Sequence, residues 1–331
     1  MKSFFALLFG ISLILPSLCR SEEAAFPLYL LGYMNAKCGY LPPPGMYIRN
    51  DIYHHSGHVK KGLFGGTSTV KANAKISLDL LSCIYVSQLK LLGADVACGA
   101  LLPFGRINVH AETSFNVPKF EVTKGPLCAD IPTITMIEKT KKAHQVAHGI
   151  SDALIIPLML GWHAEEYNLH FLCYQGLFLP TGDYKKGDIA NMGQNHFATE
   201  TDAGFTWLNP KWGTEVSAIT GVTVNFTNHK IHYRSGTGWH TEFFAGQYLN
   251  DQLQIGMAGY WFYQLTPDKL NGKTFLDGFR GQVLGLAPCI SYDFKIAKVA
   301  MNLNARYYKE MHSKNYLKGD SFFLTLTVML P

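Results

Sequence analysis

Thirteen histidines and 24 carboxylates could support acid–base or metal chemistry, yet few stand at a spacing that such chemistry needs. His54, His55 and His58 fall together in an expected loop without further ligands at a zinc spacing, so they read as exposed polar residues. Thr181-Gly182-Asp183-Tyr184, with Asp188 nearby, places two carboxylates in a glycine-bearing turn, which is ordinary turn chemistry rather than a cation site. The chain contains no G-x-S-x-G, H-E-x-x-H, Walker-type loop, dinucleotide fingerprint or C-x-x-C. No catalytic residue, metal ligand or cofactor is assigned. A triad assembled only in three dimensions leaves no linear signature. A membrane-embedded lipid hydrolase or acyltransferase, with a Ser and a His meeting on its lipid-facing rim, therefore stays as a rival reading.

The elements that must position any site are strands. Apolar and polar residues alternate with period two: Val299, Met301, Leu303, Ala305 and Tyr307 oppose Lys298, Asn302, Asn304 and Arg306, and Phe322, Leu324, Leu326, Val328 and Leu330 oppose Phe323, Thr325 and Thr327. About twelve such segments are expected, at 44–54, 70–86, 91–103, 150–163, 167–179, 195–208, 213–226, 239–250, 253–264, 282–295, 297–308 and 320–330. Their connections alternate between short (87–90, 164–166, 209–212, 251–252 and 296) and long (55–69, 104–149, 180–194, 227–238, 265–281 and 309–319). Strict alternation over an even strand number is the pattern of a transmembrane antiparallel up-and-down β-barrel, with short periplasmic turns and long outer loops.

Composition agrees. Only 16% of the 331 residues are charged, 47% are hydrophobic and 13% aromatic, and the 31 glycines follow no G-X-Y period. That excludes a disordered chain and collagen. Residues 1–19 read as a signal peptide, with Lys2, the apolar run Phe4 to Leu15 and a small-residue break at Ser17 and Cys19. Removing it lowers the formal net charge from +5 to +4, too weak a balance for a nucleic-acid partner. Residues 20–43 read as a periplasmic or plug segment and 44–331 as the barrel, with the Pro42-Pro43-Pro44 run at the boundary between them. A soluble barrel would carry the same alternation inside out. Placement of Trp162, Trp207, Trp212, Trp239 and Trp261 near strand ends favours the membrane, whose interfaces collect aromatic residues.

If the apolar sets face lipid, their alternates line the lumen: Arg49, Asp51, Lys71, Lys75, Asp79, Asp95, His170, Glu200, Asp202, Glu215, Glu242, Lys298 and Arg306, with Tyr47, Tyr53, Tyr174, Tyr260 and Phe262. Twelve strands give a narrow interior, so most of these charges are expected to pair structurally and a subset to contact a permeant. Six cysteines remain after cleavage, Cys38, Cys83, Cys98, Cys128, Cys173 and Cys289; those on strands are expected to be unpaired small hydrophobes. Lysine is expected to impair assembly at Leu303 or Leu326 and to be tolerated at Asn302 or Thr325.

The chain also resembles the outer-membrane proteins named for the meta-pathway of phenol degradation, which include sphingosine-responsive porins. The resemblance rests on LPPPG (Leu41 to Gly45), FLPTGDYKKGDIANMGQN (Phe178 to Asn195), WLNPKWGTEVSA (Trp207 to Ala218), YRSG (Tyr233 to Gly236), the run Gly281 to Pro288 and GDSFFLTL (Gly319 to Leu326). It covers most of residues 40–331, least well at 104–149. The chain departs from many outer-membrane barrels in ending on Met329-Leu330-Pro331 rather than on an aromatic residue. The resemblance implies a transporter or channel in the cell outer membrane, in contact with its lipid and passing small hydrophobic or aromatic compounds. It does not imply an enzyme of phenol degradation. A surface structural or adhesive barrel is the remaining alternative, favoured if the 104–149 region folds as a cap over a sealed lumen. Oligomeric state is not set by these features.

Overall fold

The computed structural model describes residues 27–63, 68–124, 130–274 and 276–330. The expected signal peptide and its cleavage point lie outside them, as does Cys128. Sixteen strands form: β1 Gly45–Leu63, β2 Ser68–Leu91, β3 Ala94–Lys124, β4 Asp130–Ile150, β5 Ala153–Ala164, β6 Leu169–Leu179, β7 Ala198–Asn209, β8 Thr214–Asn225, β9 Tyr233–Arg234, β10 Gly238–Tyr248, β11 Leu253–Gln264, β12 Lys269–Leu270, β13 Lys273–Thr274, β14 Gln282–Ile296, β15 Val299–Lys314 and β16 Lys318–Leu330. The short β9, β12 and β13 make a small sheet of their own. In the large sheet each strand pairs antiparallel with its neighbours, and β1 pairs with β16 from Met46↔Leu330 to His58↔Lys318, which closes the barrel. β4 pairs only with the far part of β3, Phe104–Lys124, while β5 pairs with β3 between Asp95 and Leu101. Twelve strands therefore go round the barrel. Closure leaves no edge to be satisfied in hydrocarbon, which is why a sheet can cross a membrane.

Most barrel strands between β5 and β11 run 11 or 12 residues, close to the 9–11 that a bilayer requires. β1 to β4 are longer, at 19, 24, 31 and 21 residues. This corrects three expected loops. Residues 55–63, 104–124 and 309–314 continue their strands beyond the crossing, and 104–149 is largely one long antiparallel hairpin rather than a loop or a cap. On β4, Glu138, Thr140 and Lys142 fall on one face and Lys139, Lys141 and Gln145 on the other, so no alternation marks that strand, whereas β3 keeps an apolar face through Ile107, Val109 and Ala111. His54, His55 and His58 accordingly sit on β1 and not in a loop: His55 is buried in the interior, whereas His54 and His58 point outward, so the three do not converge.

The tryptophans mark both rims. At the short-turn end Trp162 donates its indole N–H to the Leu92 carbonyl at 3.2 Å, and Trp207 and Trp212 meet edge to face across the β7–β8 turn. At the long-loop end Trp239 and Trp261 make a second edge-to-face pair, 5.2 Å between centroids. Exposed Leu303, Leu326, Phe205, Ile290 and Met257 belong to the outer surface, while Asn304, Arg306, Phe323 and Thr325 are buried on the inner one. Cys38, Cys83, Cys98, Cys173 and Cys289 are all unpaired, Cys98 on the outer face and Cys38 and Cys289 buried.

These positions sharpen the lysine test. Leu303→Lys or Leu326→Lys places a charge in the lipid-facing band and should cost about 2–4 kcal/mol near the midplane, read as a lower urea midpoint in micelles. Asn302→Lys should stay near wild type, since its neighbour is Asp293. Thr325, expected to be tolerant, is not: its hydroxyl donates to Asp51 and accepts from Arg306, so Thr325→Lys should lower the midpoint as well.

Candidate functional site in the barrel lumen

The interior is filled along one side by residues 27–44. This segment crosses the lumen without regular structure, so its backbone N–H and C=O groups need partners from the wall. Carboxylates and hydroxyls take the donors. Gly32 N–H donates to Glu242 Oε1 at 2.8 Å, Lys37 N–H to Glu215 Oε1 at 2.5 Å, and Gly39 N–H to Thr206 Oγ1 at 3.0 Å. Two arginines take the acceptors. Arg306 Nε donates to the Gly32 carbonyl at 2.9 Å, and the Tyr33 carbonyl receives Arg49 Nη2 at 2.7 Å and Arg306 Nη2 at 3.2 Å. Asp51, fully buried, holds Arg49 through two 2.8 Å contacts and lies 3.5 Å from Arg306. The Arg49 guanidinium also stacks on the Tyr33 ring at 4.0 Å. Gly39 passes so close to β7 that a Cβ there would stand 2.2 Å from the Phe205 backbone, so only glycine fits.

Further outward, β7 and β10 bring Glu200, Asp202 and His240 together. His240 Nε2 is 2.9 Å from Asp202 Oδ1, and His240 Nδ1 is 3.7 Å from Glu200 Oε1. The strand between them, β8, carries Gly221 beneath the pair, where a Cβ would lie 2.2 Å from Asp202 Oδ1. Tyr29 covers the imidazole face to face at 3.6 Å. Thr223 donates its hydroxyl to Glu200. One ligand atom from each of Glu200, Asp202 and His240 lies within 4.8 Å of the others, so this group could hold a metal, as could His163, Glu165 and His170 at the short-turn mouth.

The opposite side of the lumen is apolar. A cavity of about 860 Å³ lies between residues 27–42 and the wall formed by β2, β3, β5 and β6, lined there by Ile76, Leu78, Leu80, Leu101, Met159 and Leu172. The same cavity reaches the outer loop at 184–194 and, at the other end, Tyr47, Asp293 and Thr327. The outer loop is tied down by Asp152, which accepts Gly182 N–H at 2.9 Å and Gln194 N–H at 2.6 Å.

Of the residues expected in the lumen, Arg49, Asp51, Glu200, Asp202, Glu215, Glu242 and Arg306 are there, and all but Glu200 and Asp202 serve the segment or its clamp. Tyr174 and Tyr260 are also inside and buried, as are Tyr47, Tyr53 and Phe262. Tyr260 donates its hydroxyl to Glu310 at 3.0 Å. Asp95 and His170 are buried at the short-turn mouth. Four assignments are corrected. Lys71, Lys75 and Asp79 lie on the outer face of β2, Lys71 paired with Glu112 and Asp79 with Asn50, because here the apolar set, Ala74, Ile76, Leu78 and Leu80, turns inward. Lys298 is exposed in the β14–β15 turn at positive φ, since β15 begins only at Val299. The apolar lining was missed for the same reason: alternation says which residues share a face, not which face is inside.

Arg306→Ala should remove the clamp on Gly32 and Tyr33 and leave Asp51 with one arginine. The expected loss is about 3–5 kcal/mol, the cost of breaking a buried ion pair. Peptide-level alkylation checks it: buried Cys38 should become reactive in the folded variant and stay protected in the wild type.

Residues 62–326 match the family described as "Putative MetA-pathway of phenol degradation". No curated protein sequence matches the chain. Among solved structures it is similar to an outer membrane channel from Pseudomonas putida F1, with a TM-score of 0.63 at 15% identity over 92% of this chain and 100% of that one. A FadL homologue from Pseudomonas aeruginosa aligns at a TM-score of 0.39 and 8% identity, over 92% and 93% of the two chains. The first likeness shows the fold; the second is too loose to carry an argument.

Proposed function

The chain belongs to the family named for the MetA-pathway of phenol degradation, and on that premise we propose that it is an outer-membrane channel for small hydrophobic or aromatic compounds. The observation that carries this is the two-sided lumen. One side is charged, with Arg49, Asp51, Glu215, Glu242 and Arg306 holding residues 27–44; the other is an apolar wall facing a cavity of about 860 Å³, within the range of sites that take small ligands. A compound entering below the 184–194 loop would leave water for Ile76, Leu78, Leu80 and Met159 on one side and Leu30 and Met34 of the segment on the other. Burial of apolar area drives that step and needs no directional partner. Residues 27–44 then act as a gate, and their displacement opens the route past Tyr47 to the periplasm.

One observation favours the lipid-hydrolase reading. His54 Nδ1 and Ser77 Oγ are 2.9 Å apart, both exposed on the outer face of β1 and β2. Among the described residues no carboxylate orients the imidazole through its other nitrogen, which a catalytic pair needs. The pair is a cross-strand contact of directly opposed residues. Ser77→Ala tests it. Phospholipid and lipopolysaccharide acyl chains should be released at the same background level by both proteins, and release by wild type alone would establish the enzyme.

The channel reading is tested by uptake of a panel of aromatic and long-chain compounds into proteoliposomes, with folding checked by heat-modifiable gel mobility. Uptake above empty vesicles is expected. Leu78→Asn should weaken capture roughly tenfold, since an apolar side chain of this size contributes about 1.5–3 kcal/mol when buried. Folded protein that takes up none of the panel would discard the channel.

A further inference from the structure

We propose that the periplasmic mouth carries a binding site for a zinc-like divalent transition metal, formed by His163, Glu165 and His170. The local fold makes the site. β5 and β6 pair with His163 directly opposite His170, and a single 3-10 turn, Glu165–Tyr167, joins them. Asn168 follows in the left-handed conformation at φ 55, which asparagine tolerates better than most side chains, and it reverses the chain. This tight reversal keeps Glu165 close to the two imidazoles. One ligand atom from each residue lies within 4.8 Å of the other two.

The donor set selects the metal. Two imidazoles and one carboxylate suit zinc and its neighbours, with a fourth position left for water, whereas calcium and magnesium prefer oxygen alone. An independent feature supports ligation. Metal-bound histidines commonly present their second ring nitrogen to a carboxylate, which fixes the tautomer and ring orientation. His163 has this arrangement: its Nδ1 faces His170 while its Nε2 is 3.3 Å from Asp95 Oδ2. Asp95 is itself held by Lys90 at 2.5 Å.

The two Nδ1 atoms are 2.8 Å apart, within hydrogen-bonding distance. On a tetrahedral zinc at about 2.0–2.1 Å from each nitrogen they would stand roughly 3.4 Å apart, so the rings need to part by only about half an ångström. Glu165 is exposed at the mouth, so a hydrated ion reaches the site without crossing the lumen. Tyr40 packs on both rings, at 5.3 Å from His163 and 4.7 Å from His170, and Leu41 packs over Gly161. Metal would therefore stiffen the floor on which the end of the N-terminal segment rests.

The test is titration of the full detergent-solubilised protein with zinc against a chromophoric chelator, followed by cobalt substitution. One zinc should bind per chain with a micromolar or lower dissociation constant. Glu165→Gln, an exposed change that leaves the barrel intact, should weaken it at least tenfold, as should His163→Ala and Asp95→Asn. Bound cobalt should show visible d–d absorption without thiolate-to-metal charge transfer, which separates this site from the cysteines. Binding unchanged in Glu165→Gln and His163→Ala, a thiolate band, or no binding in the micromolar range would overturn the proposal.

Discussion

A stretch of irregular main chain inside a barrel brings with it a row of N–H and C=O groups that water cannot freely serve, and the interior of this protein is organised around that need. Donors of Gly32, Lys37 and Gly39 meet Glu242, Glu215 and Thr206; acceptors of Gly32 and Tyr33 meet Arg306 and Arg49. Charges that would be costly in isolation are thus matched to backbone dipoles and to one another. Asp51 stands at the centre, bound to both arginines and to Thr325, so the clamp draws on β1, β15 and β16 at the seam of the barrel.

Because these partners all come from β1, β7, β8, β10, β15 and β16, the segment is drawn to one side. The wall from β2 to β6 bonds the segment through Ser82, which accepts from the Tyr33 hydroxyl, and is otherwise built largely of leucine, isoleucine and methionine. Cavity and clamp are consequently two aspects of one arrangement: the space next to the apolar wall exists because the segment is fastened elsewhere. Closure of the outer mouth follows a similar logic, with the 180–197 loop fastened to the β4–β5 break through Ser151, Asp152 and Thr181.

The barrel was legible in the sequence because closure, alternation and unequal connections each leave a local trace. Strand spans such as 253–264 and 167–179 lie within about two residues of those found, and the tryptophans do sit at the rims. What was not legible is non-local. The partners of residues 27–44 are up to 274 positions away, and no periodicity announces that Arg306 will meet the Gly32 carbonyl. The reversal on β2 was hidden because Lys71, Lys75 and Asp79 alternate with Ile76, Leu78 and Leu80 just as a lumen face would alternate with a lipid face. The β3–β4 hairpin was hidden too, since polar residues on both faces of β4 between 138 and 145 erase the contrast. His163 and His170 passed unnoticed as a pair because the cross-strand register, not their spacing, brings them together.

The two-sided lumen has a consequence for what any measurement on this protein senses. Glu215, Glu242 and Arg306 are at most 1% exposed and Arg49 is bound to Asp51 and to the Tyr33 carbonyl, so the charged side offers fixed charge but little open space for a hydrated ion. The open space lies instead beside leucine, isoleucine and methionine of the β2–β6 wall. A small conductance would therefore say little about how readily an oily molecule gets through.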